Sequence, residues 1–213
     1  MKKYIIDDYI IKINTEVQNR NENKSSVGVI DGAVFLSQTP SIELCTFRLT
    51  HLEINERKNA GLDFCDLFMQ LAPNYSKIKS FCISDCERWK SAFLNCVHGR
   101  NCEYVHSYIE SIMVFDWIYA QEGFANDEFY NLILSEVLYY FSSACEYFFV
   151  LPKEFFSKSR NGLLKQDCST ILSYEGKKIK ISSFLEKLGF RRIKTTQIYA
   201  LDTQCFRQNV YTY

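Results

Sequence analysis

Cys86, Cys96, Cys102 and His106 are separated by nine, five and three residues. Three thiolates and one imidazole are the donors of a closed, tetrahedral structural zinc site. Gly99 stands three residues before Cys102 and Tyr104 two after it, where an aromatic ring could stack on an RNA base. The local pattern opposes such a knot. Ser84 and Glu87 form a capping-box pair. Cys86, Trp89, Phe93 and Val97 then recur at helix spacing up to Gly99, and Val105, Tyr108, Ile109, Ile112 and Met113 do so beyond Asn101. After Arg100 every charged residue up to Pro152 is acidic, which repels phosphate. A pair of helices is therefore the reading preferred to a zinc site. No cysteine beside His51, His98 or His106 carries a recognisable nucleophile signature, and neither a P-loop nor a dinucleotide-binding glycine fingerprint occurs.

A second constellation begins at Leu52-Glu53-Ile54. It runs through Asn55, Glu56, Arg57, Lys58, Asn59, Ala60 and Gly61 into Leu62, where a helical pattern opens. Leu62, Cys65, Phe68, Met69 and Ala72 share one face, and Pro73 stops the helix. A helix N-terminus presents unpaired N–H groups and the positive end of a dipole, which suits phosphate oxygens.

The elements that must position these groups follow from periodicity. Residues 4–18 and 26–37 read as strands joined by a polar run, with Asp31-Gly32 as a two-residue hairpin turn or a bulge. A third strand covers about 42–54. Three helices fill 84–143, the last from about Asn126 to Ser143, with no strand pattern among them. Strands follow at Tyr147–Leu151, 190–195 and 197–201, and a short helix at Ile181–Leu188 is capped by Gly189. The expectation is a single mixed α/β domain over 1–213, with a core at 1–72 and 145–213 and a helical insertion at 73–144.

Composition limits the function classes. Hydrophobic residues make up 47% of the 213-residue chain, enough for a packed core and outside the disordered range. The formal net charge is +0, which argues against duplex nucleic-acid binding through overall basicity. The acidic pair Asp7 and Asp8 interrupts the apolar start, and no stretch reaches the roughly 18 apolar residues of a membrane span. The 9 cysteines, an odd number, read as small buried hydrophobes in a reducing, cytoplasmic setting. Charge is nevertheless segregated. Residues 101–152 hold eight acids and no Lys or Arg, whereas 153–213 hold 12 bases against five acids. Fourteen aromatics also fall in 101–152, so the insertion reads as packed helices or as a surface for an amine substrate or a protein partner.

The order of strands, turn and helix, together with Ser183-Phe184-Leu185-Glu186-Lys187-Leu188-Gly189-Phe190, resembles the GNAT acyltransferases, whose C-terminal helix commonly ends Leu-Gly-Phe. The resemblance implies a mixed central sheet flanked by helices, with a three-helix insertion at about 74–144. It implies acetyl-CoA or another acyl-CoA as donor, cradled by Ile54, Arg57, Lys58, Asn59, Ala60, Gly61 and Leu62, and an amine-bearing small molecule or protein as acceptor. Glu53 would take the proton of the amine. The family's helix tyrosine aligns with Leu185, and Tyr199 would replace it as the acid for the departing thiolate. Two alternatives remain open: a catalytically silent interaction protein on the same fold, and a CCCH-type zinc finger that binds RNA.

Overall fold

The computed structural model describes residues 2–6, 8–18, 25–54, 75–84, 88–98, 109–151, 170–172, 178–194 and 196–210. Its centre is an eight-stranded sheet of order β1-β2-β3-β4-β5-β6-β10-β9. β1 (Lys2–Ile6), β2 (Tyr9–Gln18), β3 (Ser25–Leu36), β4 (Glu43–Ile54) and β5 (Ser111–Ala120) pair antiparallel in succession. β6 (Tyr147–Val150) then lies parallel to β5. β10 (Tyr199–Asp202) pairs antiparallel with β6, and β9 (Arg191–Arg192) with β10. β7 (Thr170–Leu172) and β8 (Lys178–Lys180) form a separate two-stranded ribbon.

Alternation along the strands decides what covers each face. Ile11 and Ile13 of β2, and Cys45, Phe47 and Leu49 of β4, point into one core. That core is closed by α3 (Asp127–Phe141) and α4 (Ile181–Lys187) through Phe129, Ile133, Val137, Phe184 and Leu185. On the other face α1 (Tyr75–Cys82) and α2 (Ser91–His98) cover Leu52, Ile112, Val114, Tyr147, Phe149 and Ala200. Trp89 and Phe93 stack on Phe149 at 6.1 and 5.8 Å and meet Tyr147 edge-on. Burying each such ring contributes about 1.5–3 kcal/mol. α5 (Thr203–Val210) ends the described chain. Among the described residues no helix is long and apolar enough to cross a membrane.

Three expectations are corrected here. The stretch 101–122 is not helical where it is described, because Ser111–Ala120 is the fifth strand of the sheet. Ile112, Met113, Val114 and Phe115 are buried in succession, and a strand covered on both faces needs no polar alternation. Such a run cannot be told from a buried helix by spacing alone. The segment 73–144 is therefore not helical throughout: among its described residues α1 and α2 precede β5, and α3 follows it. As a second correction, the acyltransferase resemblance requires strands 43–54 and 147–151 to lie side by side in parallel, and they are not neighbours, since β5 lies between them. Third, Asp31-Gly32 makes no hairpin turn. β3 runs straight through it, with Asp31 opposite Asn14 and Arg48, and Gly32 opposite Ile13 and Phe47. The helix expected at Leu62–Ala72 lies outside the described residues.

Gly32 is glycine because the Phe47 ring occupies the space a side chain would need. Gly32→Ala is expected to destabilise the fold by about 1–3 kcal/mol in urea denaturation. Gly28→Ala, whose methyl would lie 3.7 Å from the Cβ of His51, is expected to cost far less.

Candidate functional site

β5 contains one residue more than β4 can match. Arg48 faces Trp117 while Leu49 faces Phe115, so Asp116 is a bulge. Bulges bend a strand and re-aim a side chain. At this level the pairing with β6 also stops. The parallel ladder runs from Ile112–Tyr147 to Phe115–Val150, and β5 continues to Ala120 paired with β4 alone among the described residues. No described strand pairs with the second edge of 116–120.

The carboxylate of Asp116 is held from two sides. Thr50 Oγ1 donates to Oδ2 at 2.7 Å, and the Tyr75 hydroxyl at the start of α1 donates to Oδ1. Beside it, on the face that α1 and α2 leave uncovered, Lys12, Asn14, Asp31, Phe35, Arg48 and Trp117 line a groove of about 510 Å³. Arg48 Nε and Nη2 grip Asp31 at 2.7 and 3.0 Å, and its guanidinium lies 5.9 Å from the Trp117 ring centre. The bond to Asp31 holds the Arg48 proton more firmly than usual. Partial burial works against this, and the charges of Asp31 and Asp116 reinforce it. Lys12 Nζ rests 4.1 Å over the Phe35 ring, a cation–π contact. Thr46, 4% exposed, lines the groove with a buried hydroxyl that has no partner among the described residues. A hydroxyl in that state costs about 1–3 kcal/mol until a ligand or water meets it.

Beyond Ala120 the chain turns into α3. Gly123 takes φ 95°, the left-handed region, with open space where a side chain would be. Asn126 caps the helix, its side chain accepting from Phe129 N at 3.0 Å. Asp127 and Glu128 occupy the first turn, where carboxylates complement the helix dipole.

The residues expected from sequence are distributed differently. Glu53 is exposed near the end of β4 opposite Ser111, and Ile54 ends that strand. This is the start of β5, roughly 15 Å along the strand from the bulge. Glu53 instead lines a second cavity of about 780 Å³ with His51, Glu110, Glu146 and Arg207. Arg57, Lys58, Asn59, Ala60, Gly61 and Leu62 lie outside the described residues. Tyr199 is buried on β10 opposite Val150, which itself faces Phe115. It therefore stands level with the bulge, two strand spacings or roughly 10 Å away. Burial raises its phenol above the usual range, tempered by Arg192 and by a hydrogen bond with Ser182. Of the zinc spacing, Cys96 is on α2, and Cys86, Cys102 and His106 lie outside the described residues. Asp116, Thr50, Tyr75 and Trp117 were missed because 101–122 read as a helix; the unbroken run Ile112–Phe115 was the signal for a buried strand.

No family model, no curated protein and no solved structure matches the chain.

His51, in the second cavity, offers a test of the described geometry. Burial lowers its pKa below 6.5, against the pull of the Ala144 carbonyl 2.9 Å from Nε2 and of the Glu53 charge. Below pH 6.5 the unfolded chain takes up this proton before the folded one does, so stability falls as pH drops through that window. Relative to His51→Gln, the wild type is expected to lose stability from pH 6.5 downward, read from denaturation midpoints across pH. A constant difference would contradict the burial.

Proposed function

We propose that the chain is a GNAT-type acyltransferase that moves an acyl group from an acyl-coenzyme A thioester to an amine held over Trp117. The observation that carries this reading is the bulge at Asp116 where the parallel β5–β6 pairing ends. Beside a carboxylate, with a groove on one face and a tyrosine on the other, lies a strand edge that no described strand pairs with. The helix ending Leu188-Gly189-Phe190, with Gly189 at φ 92°, packs on the same face as Tyr199. The donor turn is reassigned from 57–62 to 121–126, which follows the strand that pairs in parallel.

The described residues suit the arm of such a donor better than its diphosphate. The edge 116–120 has backbone N–H and C=O groups that an extended, amide-bearing chain can pair with as an added strand. Gly123 keeps the turn clear. Glu122, Asp127 and Glu128 place three negative charges at that turn, opposing a diphosphate. When bound, the thioester supplies the electrophilic carbonyl. Asp116, fixed by Thr50 and Tyr75, accepts the proton that the attacking amine must lose, in place of Glu53. N–H groups of this edge donate to the oxygen that gains charge. Tyr199 delivers a proton to the departing sulfur. The Asp31 carboxylate and the buried Thr46 hydroxyl orient the polar end of the acceptor.

The second reading, a silent interaction protein on the same sheet, is favoured by those three acids. The two separate in a screen of amines with acetyl-CoA and longer acyl-CoA thioesters, with coenzyme A release followed by chromatography. Turnover is expected, and Asp116→Asn is expected to lower kcat by roughly 10²–10⁴-fold while the melting temperature changes little. Asp127→Asn with Glu128→Gln is expected to tighten coenzyme A several-fold. A folded protein that neither turns over any amine nor melts higher in millimolar acyl-CoA would be the silent one.

A further inference from the structure

We propose that His98 Nδ1, Asp202 Oδ2 and Cys205 Sγ bind one zinc ion, with water completing the tetrahedron. Three elements converge on this point: the last residue of α2, the end of β10 and the first turn of α5. The three donor atoms all lie within 4.8 Å of one another. Nδ1 is 2.9 Å and Sγ 3.3 Å from the same Asp202 oxygen. Bonds of about 2.0–2.3 Å place neighbouring donors of a tetrahedral ion roughly 3.3–3.6 Å apart. Seating the ion therefore needs shifts of a few tenths of an ångström at Asp202, and an approach of at most about 1.2–1.5 Å between His98 Nδ1 and Cys205 Sγ.

His98 and Asp202 are already oriented by groups that are not themselves ligand atoms, as metal sites require. His98 Nε2 is 2.7 Å from the Tyr147 hydroxyl, which fixes the ring and leaves Nδ1 to the metal. Asp202 Oδ1 accepts from the backbone N–H groups of Gln204 at 2.7 Å and Cys205 at 3.3 Å, so Oδ2 is the oxygen presented. Cys205 stands in the first turn of α5 with its thiol turned to Asp202 Oδ2. One imidazole, one carboxylate and one thiolate match zinc better than a hard cation such as Mg²⁺ or Ca²⁺. Asp202 is buried and Cys205 exposed, so the site has a fixed floor and an entry. On binding, the thiol proton of Cys205 leaves to solvent and the ring proton of His98 resides on Nε2, facing Tyr147. The site shares no ligand with the Cys86, Cys96, Cys102 and His106 spacing and does not rest on the acyl-transfer reading.

The test is a Co²⁺ titration of the chelator-treated full chain, followed by displacement with Zn²⁺. One Co²⁺ per chain and a near-ultraviolet sulfur-to-cobalt absorption are expected, with Zn²⁺ slowing alkylation of Cys205 in peptide mapping. Cys205→Ala, at an exposed position, is expected to abolish the absorption and to weaken zinc at least tenfold. Tyr147→Phe keeps all three ligands and is expected to weaken zinc by about tenfold. Absence of the absorption in folded wild type would overturn the site. So would its survival in Cys205→Ala, or its loss in Cys86→Ala and Cys102→Ala but not in Cys205→Ala, which would assign the metal to the other spacing.

Discussion

A single surplus residue sets the geometry on which the rest of this molecule depends. The extra backbone unit at Asp116 cannot be matched by β4, so the register between the two strands shifts there. The same unit marks where β6 stops following β5. Before the bulge, β5 is a buried inner strand covered by rings on both faces. After it, β5 is paired with β4 alone among the described residues.

The two faces of the sheet differ in how completely they are covered. α3 and α4 close one face along its length, from Ile11 on β2 to Leu201 on β10. α1 and α2 close the β4–β10 half of the other. The uncovered remainder holds Lys12, Asp31, Arg48 and Trp117, charged groups stabilised by mutual pairing and by ring contacts rather than by burial. The acidic segment of the sequence has no single location in this arrangement. Glu146 accepts from the Trp89 indole at 3.1 Å, Asp116 is fixed at the bulge, and Asp127 and Glu128 serve the dipole of α3. Among the described residues its acids stand along the strand edges and at the helix start.

Several parts of this fold were legible from residue order. The strands at 25–36 and 43–54, the strand at 147–150, and the short helix closed by Gly189 all carry local signals: alternation, a bounded apolar run, a glycine past the last helical turn. β5 was not legible, because four consecutive buried side chains match a helix stripe as well as a strand. The site was lost with it, since Asp116 is meaningful only once its neighbours across the sheet are known. Thr50 is 66 positions away from it and Tyr75 41. The trio His98, Asp202 and Cys205 was hidden for the same reason, with two members close in sequence and the third far upstream.

The packing of α2 has a consequence for how the protein is made. Its ring contacts are with Tyr147 and Phe149, and His98 is paired with Asp202, which emerges 104 positions later (202 − 98). At roughly 5–20 residues per second of synthesis, Phe93 waits about 3–11 s for Phe149, 56 positions later (149 − 93), and His98 about 5–20 s for Asp202. During that interval a nascent chain presents Trp89 and Phe93 to its surroundings, so translation pace and holding chaperones bear directly on the yield of folded molecules.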